Sequence, residues 1–325
     1  MIDLIFDTKG KMKQVLSENT HIMVSVSGGS DSDLLVDLFE KYKQEHNVLY
    51  YVFFDTGLEF QATHRHLKYL EEKYGIEIIK SRPEITLPQS IRINGTPLTN
   101  KHTSEMIGRL QKKGFDFQKD SLLSYEECMV KFPKAKGALD FYFSNNQIQQ
   151  FNVKKELREY LTEHGLNYKV SNKCCTDSKK NNSKKFLKEN PQIECVVMGD
   201  RRSEGGNRSS KTNCYNTTGK IKYYSPILHW TNDTKKEYVE KEKIVHSECY
   251  TVWGMTRTGC SGCPFAKNFE EELELIKVHE PNLYNACIKL FGKTYEIKRS
   301  ILTDRQKEIK KRMENCEQIS FKEIE

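Results

Sequence analysis

Along the first quarter of the chain, apolar, β-rich runs alternate with stretches whose apolar positions recur every three or four residues. Residues 21–26, 48–54 and 76–80 are of the first kind and predict buried strands. Residues 31–46 are of the second kind, with Leu34, Leu35, Leu38, Phe39 and Tyr42 at helical spacing. A second helix is predicted over 61–74. After a long interval the alternation resumes, with a helix over 178–189 and a continuous apolar strand over 193–198. Strands apolar on both faces and separated by helices predict an α/β fold, a doubly wound, mainly parallel sheet. Ligands of such sheets bind beyond the carboxyl ends of the strands. Gly28-Gly29, Asp55-Thr56-Gly57 and Gly199-Asp200-Arg201 all fall at those ends.

The interval itself, residues 86–170, is aromatic, basic and helical in texture, and is expected to be a helical insert. The α/β domain then comprises 1–85 and 171–295, ending in a cysteine-rich and helical region. Residues 296–325 form a charged helical tail carrying Lys310-Lys311-Arg312.

Composition narrows the class. Hydrophobic residues make up 37% and charged residues 30% of the 325 positions, which suits a packed core under a highly charged surface. No apolar stretch is long enough to span a bilayer. Residues 1–7 lack the basic and apolar regions of a signal peptide. A cytoplasmic protein with no membrane partner is expected. The net charge of +7 suits an anionic ligand, a nucleotide or a nucleic acid.

Ser27-Gly28-Gly29-Ser30-Asp31-Ser32 joins a predicted strand to a predicted helix. Glycines let backbone approach a phosphate closely, and the first N–H groups of the helix favour an anion. Ser27 and Ser32 can donate hydroxyl hydrogen bonds. The plainer alternative is an ordinary turn with Asp31 or Ser32 as the helix cap. Arg201, Arg202 and Arg208 lie in a Gly/Ser-rich loop after a strand, where guanidinium groups suit phosphate or sulfate. Glu204 can orient one of them.

Cysteine placement adds a metal centre. Cys174 and Cys175 are adjacent, and Cys260 and Cys263 form a C-x-x-C pair inside Gly259-Cys260-Ser261-Gly262-Cys263-Pro264. Cytosolic thiols stay reduced, so disulfides are not expected. Cys195, inside an apolar run, is expected to be core. His64 and His66, two apart on a helix, do not share a face and are not expected to hold a metal. Trp230 and Trp253 are expected to pack at the edge of the site.

Four ordered segments resemble the adenine nucleotide α-hydrolase superfamily and, within it, the phosphoadenosine phosphosulfate (PAPS) reductase family. Residues 27–32 match its S-G-G-x-D-S pyrophosphate loop. Asp55-Thr56-Gly57-Leu58-Glu59-Phe60-Gln61-Ala62-Thr63 is similar to D-T-G-x-x-F-x-x-T. Gly199, Arg201, Glu204 and Arg208 meet G-x-R-x-x-E-x-x-x-R, and Pro226-Ile227-Leu228-His229-Trp230-Thr231 meets P-I/L-x-x-W-T. The resemblance implies an adenine nucleotide, ATP or a sulfonucleotide, bound by Ser27, Gly28, Gly29, Ser30, Asp31, Ser32, Asp55, Thr56, Gly57, Gly199, Arg201, Glu204 and Arg208. Asp31, with Mg²⁺, and Arg201 and Arg208 would act catalytically. It also implies a 4Fe-4S cluster on Cys174, Cys175, Cys260 and Cys263, as in adenylylsulfate reductases, with zinc as the alternative. Gly259 and Gly262 are expected to turn N–H groups toward the cluster sulfurs.

The family's reductases carry a C-terminal E-C-G-L-H segment with the nucleophilic cysteine, and the tail here offers only Glu314-Asn315-Cys316-Glu317-Gln318. The resemblance therefore points to an ATP-using enzyme that releases AMP and pyrophosphate in adenylation or sulfur transfer, with a sulfur- or electron-donor protein as partner. Two alternatives stand beside it. One is a reductase of adenylylsulfate or PAPS giving sulfite. The other is a nucleotide- or nucleic-acid-binding subunit with a structural cluster. A nucleic acid is also a possible acceptor for the enzyme.

Overall fold

In the computed structural model, which describes residues 3–144, 153–266 and 268–322, the apolar runs become neighbouring strands. The chain begins with α1 (Leu4–Ser17), β1 (His21–Ser25), α2 (Ser30–Tyr42), β2 (Val48–Phe54), α3 (Gln61–Tyr74) and β3 (Ile78–Ser81). Five helices follow where the insert was expected: α4 (Leu87–Asn94), α5 (Lys101–Lys112), α6 (Tyr125–Lys131), α7 (Lys136–Phe143) and α8 (Lys155–His164). A π-helical turn, Thr176–Lys180, leads into α9 (Asn181–Glu189). Then come β4 (Cys195–Val197), β5 (Tyr215–Asn216), β6 (Lys222–Tyr224), α10 (Asn232–Glu242), α11 (Glu248–Thr251), α12 (Phe269–His279) and α13 (Pro281–Lys322). The expected tail helix is thus the end of α13, which starts well before residue 296. Its side chains beyond Ile301, Cys316 and the Lys310-Lys311-Arg312 group included, lie outside the described residues.

The strands form one sheet in the order β3-β2-β1-β4-β6-β5, parallel except for β5 on β6. Ile22 of β1 lies opposite Leu49 of β2 and Cys195 of β4. Side chains alternate across the strand. Ile22 and Val24 therefore join a core with Leu35 and Phe39 of α2, Leu67 of α3 and Tyr238 of α10. Met23, Val52 and Val196 face the opposite way, onto Phe186 of α9. Both faces are covered, which is why these strands are apolar throughout. Each buried Leu or Phe contributes about 1.5–3 kcal/mol relative to exposure. Cys195 is core, as expected, and burial pushes its thiol up to about 12.

The helix expected over 31–46 stops at Tyr42. Asn47 draws the chain out of it, donating to the Leu16 and Asn19 carbonyls at 2.9 and 2.7 Å while its own oxygen accepts from Gln44 N.

The chain divides into two compact units. The first, Met1–Leu87, Thr176–Ser261 and Val278–Glu280, holds the sheet. The second, Pro88–Cys175, Gly262–Lys277 and Pro281–Glu325, has its own helical core, where Leu98, Ile107, Phe115, Leu139, Tyr142 and Leu161 pack together. No helix among the described residues is long and apolar enough to cross a membrane.

Candidate functional site

In the first unit the direction of strand order reverses at β1, between the chain-consecutive β2 and the distant β4. Such a switch point opens a crevice at the carboxyl ends of the two strands. The loop after β1 is Ser27–Ser32 of the sequence motif, and the loop after β4 is Gly199–Arg208.

The first loop is shaped by its glycines. Gly28 has φ +67°, and a Cβ there would lie 2.6 Å from Thr63 Cγ2 on α3. Gly29 is the residue before α2, and its extended backbone brings no side-chain cap to the helix. Capping by Asp31 or Ser32, the plain alternative from sequence, is therefore not what the loop does. Ser32 Oγ donates to Gly29 O at 2.7 Å, and Ser27 Oγ donates to Ser32 Oγ at 3.3 Å. Both hydroxyls expected to face a ligand are thus committed inside the loop. Three hydroxyls crowd Gly29: a Cβ there would be 3.2 Å from Ser27 Oγ, Tyr250 OH and Thr258 Oγ1. Tyr250 and Thr258 carry no motif, and their hydroxyls share a hydrogen bond of 2.7 Å.

Asp31 is the centre of the crevice. Its Oδ1 accepts from Arg201 Nε at 2.9 Å and from Lys235 Nζ at 2.7 Å, and Lys235 also donates to Ser30 Oγ at 2.6 Å. Arg201 Nη1 donates to Ser203 Oγ and Asn232 Oδ1. Gly199 sits 3.5 Å from the Asp31 backbone, measured from where its Cβ would be, so the two loops touch. The motif residues Ser30, Asp31, Gly199 and Arg201 are brought together as the sequence suggested.

Arg208 belongs to a different group. Its Nε donates to Asp200 Oδ1 at 2.8 Å, and its Nη1 lies 2.7 Å from Glu204 Oε2 without hydrogen-bond alignment. Lys211 also donates to Asp200. Burial works against a charged Asp200, but Lys211 and Arg208 outweigh it and hold its carboxyl below the usual range. Glu204 does accompany an arginine, as expected. No ion pair joins Arg208 to Asp31 among the described residues.

Below the crevice lies a polar triad that spacing alone did not announce. Asp33, fully buried in the first turn of α2, accepts from His66 Nε2 at 2.9 Å and His246 Nδ1 at 2.7 Å. Burial alone would raise this carboxyl, and the two imidazoles reverse the sign and lower it. His66 is thus a buried anchor, while His64 meets Phe53 edge-on. Trp230 donates to Thr8 and Trp253 stacks on His279, so both are packing residues.

The loop after β2 is turned inward. Asp55 Oδ1 accepts from Gly57 N at 2.9 Å, an Asx turn, and exposed Arg82 approaches its other oxygen at 3.4 Å. Thr56 Oγ1 donates to Glu59 Oε1 at 2.6 Å and lies 4.0 Å from Cys260 Sγ. Burial raises Glu59 against the pull of Lys179 and Thr56.

The cysteines divide between the units. Cys260 belongs to the first, and Cys174, Cys175 and Cys263 to the second. Within the second unit the loop after Cys260 is tightly fastened. Gly262 has φ +60°, its N–H goes to Glu272 Oε1 at 2.9 Å, and a Cβ there would meet Cys287 Sγ at 2.7 Å. The expectation that Gly262 turns its N–H to a cluster sulfur is corrected: the Glu272 carboxylate takes it. Tyr295 OH donates to Gly262 O, and Lys298 Nζ donates to Pro264 O and Ala266 O while lying 3.8 Å over the Phe269 ring. Among the described residues no three His, Cys, Asp or Glu side chains are gathered as a metal ion requires. No chemical step is assigned to a metal or cluster.

Comparisons with known proteins bear on the same regions. The family model described as phosphoadenosine phosphosulfate reductase domain matches residues 21–114 and 134–266. Two uncharacterized proteins of Methanocaldococcus jannaschii are similar. MJ0066 is 25% identical over 81% of this chain, and MJ0973 is 27% identical over 76%. The chain spans only 40% and 61% of their respective lengths. Among solved structures, PAPS reductase from Candida auris in a phosphate complex aligns with TM-score 0.42 and 12% identity, over 78% of this chain and 87% of that one. The U34-tRNA thiolase NcsA from Methanococcus maripaludis with its 4Fe-4S cluster aligns with TM-score 0.39 and 13% identity, over 92% and 80%. Likeness that loose transfers no ligand and no reaction. The family match covers more than half of the chain and includes every loop of the crevice, and on that ground the chain belongs to the phosphoadenosine phosphosulfate reductase domain family.

Proposed function

We propose that the chain binds ATP in the crevice between β1 and β4 and cleaves it between the α and β phosphates, passing AMP to an acceptor and releasing pyrophosphate. Members of the family are enzymes. The observation that carries this reading is the convergence of the glycine loop, the N-terminus of α2, which takes no side-chain cap from Gly29, and the Arg201 guanidinium at the point where strand order reverses. Each of these favours an anion, and they meet where an α/β sheet binds its ligand.

In this reading residues 27–32 hold the leaving pyrophosphate. An oxygen nucleophile of the acceptor attacks the α phosphorus, the bridging P–O bond to the β phosphate breaks, and its electron pair leaves on pyrophosphate. Arg201 is already oriented by Asp31, Ser203 and Asn232, so it stabilises developing charge without reorganising. Mg²⁺, held through Asp31, would neutralise phosphate charge when bound. Arg208, held by Asp200 and Glu204, supports the second loop. Asp55 keeps the β2 loop closed.

A 4Fe-4S cluster on Cys174, Cys175, Cys260 and Cys263 rests on the two cysteine pairs of the sequence. Iron and acid-labile sulfide in protein purified without oxygen would support it, and a colourless protein with one zinc per chain would end it.

The deciding experiment incubates anaerobically purified protein with ATP, adenylylsulfate or PAPS, Mg²⁺ and a thiol, and separates the nucleotides by anion exchange. AMP and pyrophosphate from ATP are expected, with water taking the place of the acceptor. Sulfite from either sulfonucleotide, with ATP untouched, would replace this reading by a reductase.

A further inference from the structure

We propose that Lys235 is a phosphate-contacting residue of this site, a role that none of the four sequence motifs gives it. The inference rests on the ATP reading above. It starts from how α10 lies on α2. Thr231 caps α10, its Oγ1 accepting from Thr234 N at 3.1 Å, and this fixes the phase of the helix. Asn232, Lys235 and Tyr238 then recur at three-residue intervals along one side. Asn232 accepts from Arg201, Lys235 donates to Ser30 and Asp31, and Tyr238 OH donates to buried Asp37 Oδ2 at 2.7 Å. The Tyr238–Asp37 bond locks the two helices two turns away from the loop. Lys235 is therefore held over the start of α2 by more than its own ion pair.

The charges at that spot are unbalanced. Lys235 and Arg201 both bond the same oxygen of one carboxylate, so two positive charges share one negative charge. Their side chains are only 16% and 9% exposed, and Asp31 is 17% exposed, so water screens the excess poorly. A group with several negative oxygens matches this arrangement better than Asp31 alone. Terminal phosphates of ATP, or the pyrophosphate formed from them, are such a group. The amine already reaches the hydroxyl of Ser30 in the glycine loop, so a phosphate held by the loop lies within its range.

The test is calorimetric titration of the full chain with ATP, inorganic pyrophosphate and AMP in the presence of Mg²⁺. Lys235→Gln keeps hydrogen-bonding groups and removes the charge. It is expected to weaken ATP and pyrophosphate about tenfold or more, and to leave AMP, which lacks the terminal phosphates, unchanged. Lys235→Arg, which keeps the charge, is expected to restore most of the loss. Unchanged pyrophosphate affinity in Lys235→Gln, or equal losses for AMP and pyrophosphate, would overturn the assignment. Wild-type protein that binds neither ATP nor pyrophosphate would instead overturn the ATP reading itself, and this inference with it.

Discussion

The loops after β1 and β2 look alike on paper, since each places glycine and a carboxylate at the end of a buried strand. Their polar groups are spent differently. In the β2 loop Asp55 closes on Gly57 two residues away and Thr56 on Glu59 three residues away. In the β1 loop Asp31 reaches Arg201 and Lys235, which arrive from other elements some two hundred positions along the chain. Local closure builds a rigid turn. Long-range pairing of cations on one carboxylate builds a charged crevice whose partners can be exchanged for a ligand's oxygens. Glycine makes both turns tight, and under the proposed function it is the two distant cations on Asp31 that mark the β1 loop as the one meeting the ligand.

This contrast can be broken most sharply at Arg201. Arg201→Ala should lower pyrophosphate release from ATP by about a hundredfold to a thousandfold, the usual scale for a preorganised electrostatic contact, as read by a coupled phosphate assay. Gly28→Ala comes next. Its positive φ costs an ordinary residue about 1–2 kcal/mol, and the approach to Thr63 adds to that, so chemical denaturation should show a loss of at least that size. Asp55→Ala should cost about 1 kcal/mol, the scale of one hydrogen bond, and leave pyrophosphate affinity within a few-fold in calorimetry. If Asp55→Ala abolished binding while folding normally, the two loops would be equivalent and the contrast wrong. The smallest effect concerns Asp200, whose partners Arg208 and Lys211 are partly screened by solvent. Its folded carboxyl lies below the ordinary 3.8, so its contribution is complete above that pH and disappears as pH falls through the lowered value. Acid-unfolding curves of wild type and Asp200→Asn should differ slightly above pH 3.8 and merge only as pH falls through the lowered value.

Much of the first unit was legible because short, β-rich apolar runs suit strands covered on both sides. β1, β2 and β4 appear within the expected segments, and β3 starts two residues late. β5 and β6 escaped notice. Tyr215-Asn216 and Lys222-Tyr223-Tyr224 are too short and too polar for an apolar run; β5 is the edge strand and β6 its neighbour. α1 is not announced by the sequence, although Asp3 caps it and Met12, Val15 and Leu16 are buried, since polar Thr8 stands in its buried stripe between Ile5 and Met12. In the site, spacing identified the loops but not Lys235, Tyr250, Thr258 or His246. Their meaning comes from where α10 and the segment after it pack, which no local window contains. The cysteine pairs are conspicuous in sequence by their spacing alone, and their members are divided between the two units.

The pairing of β1 with β4 has a consequence for the chain during synthesis. Ile22 can meet Cys195 only after the whole stretch between them has left the ribosome. At about 5–20 residues per second, one edge of the central strand stays open for roughly ten to thirty seconds. An unpaired apolar strand edge invites pairing with other chains. The nascent protein therefore carries an open strand edge for as long as its helical insert is being made.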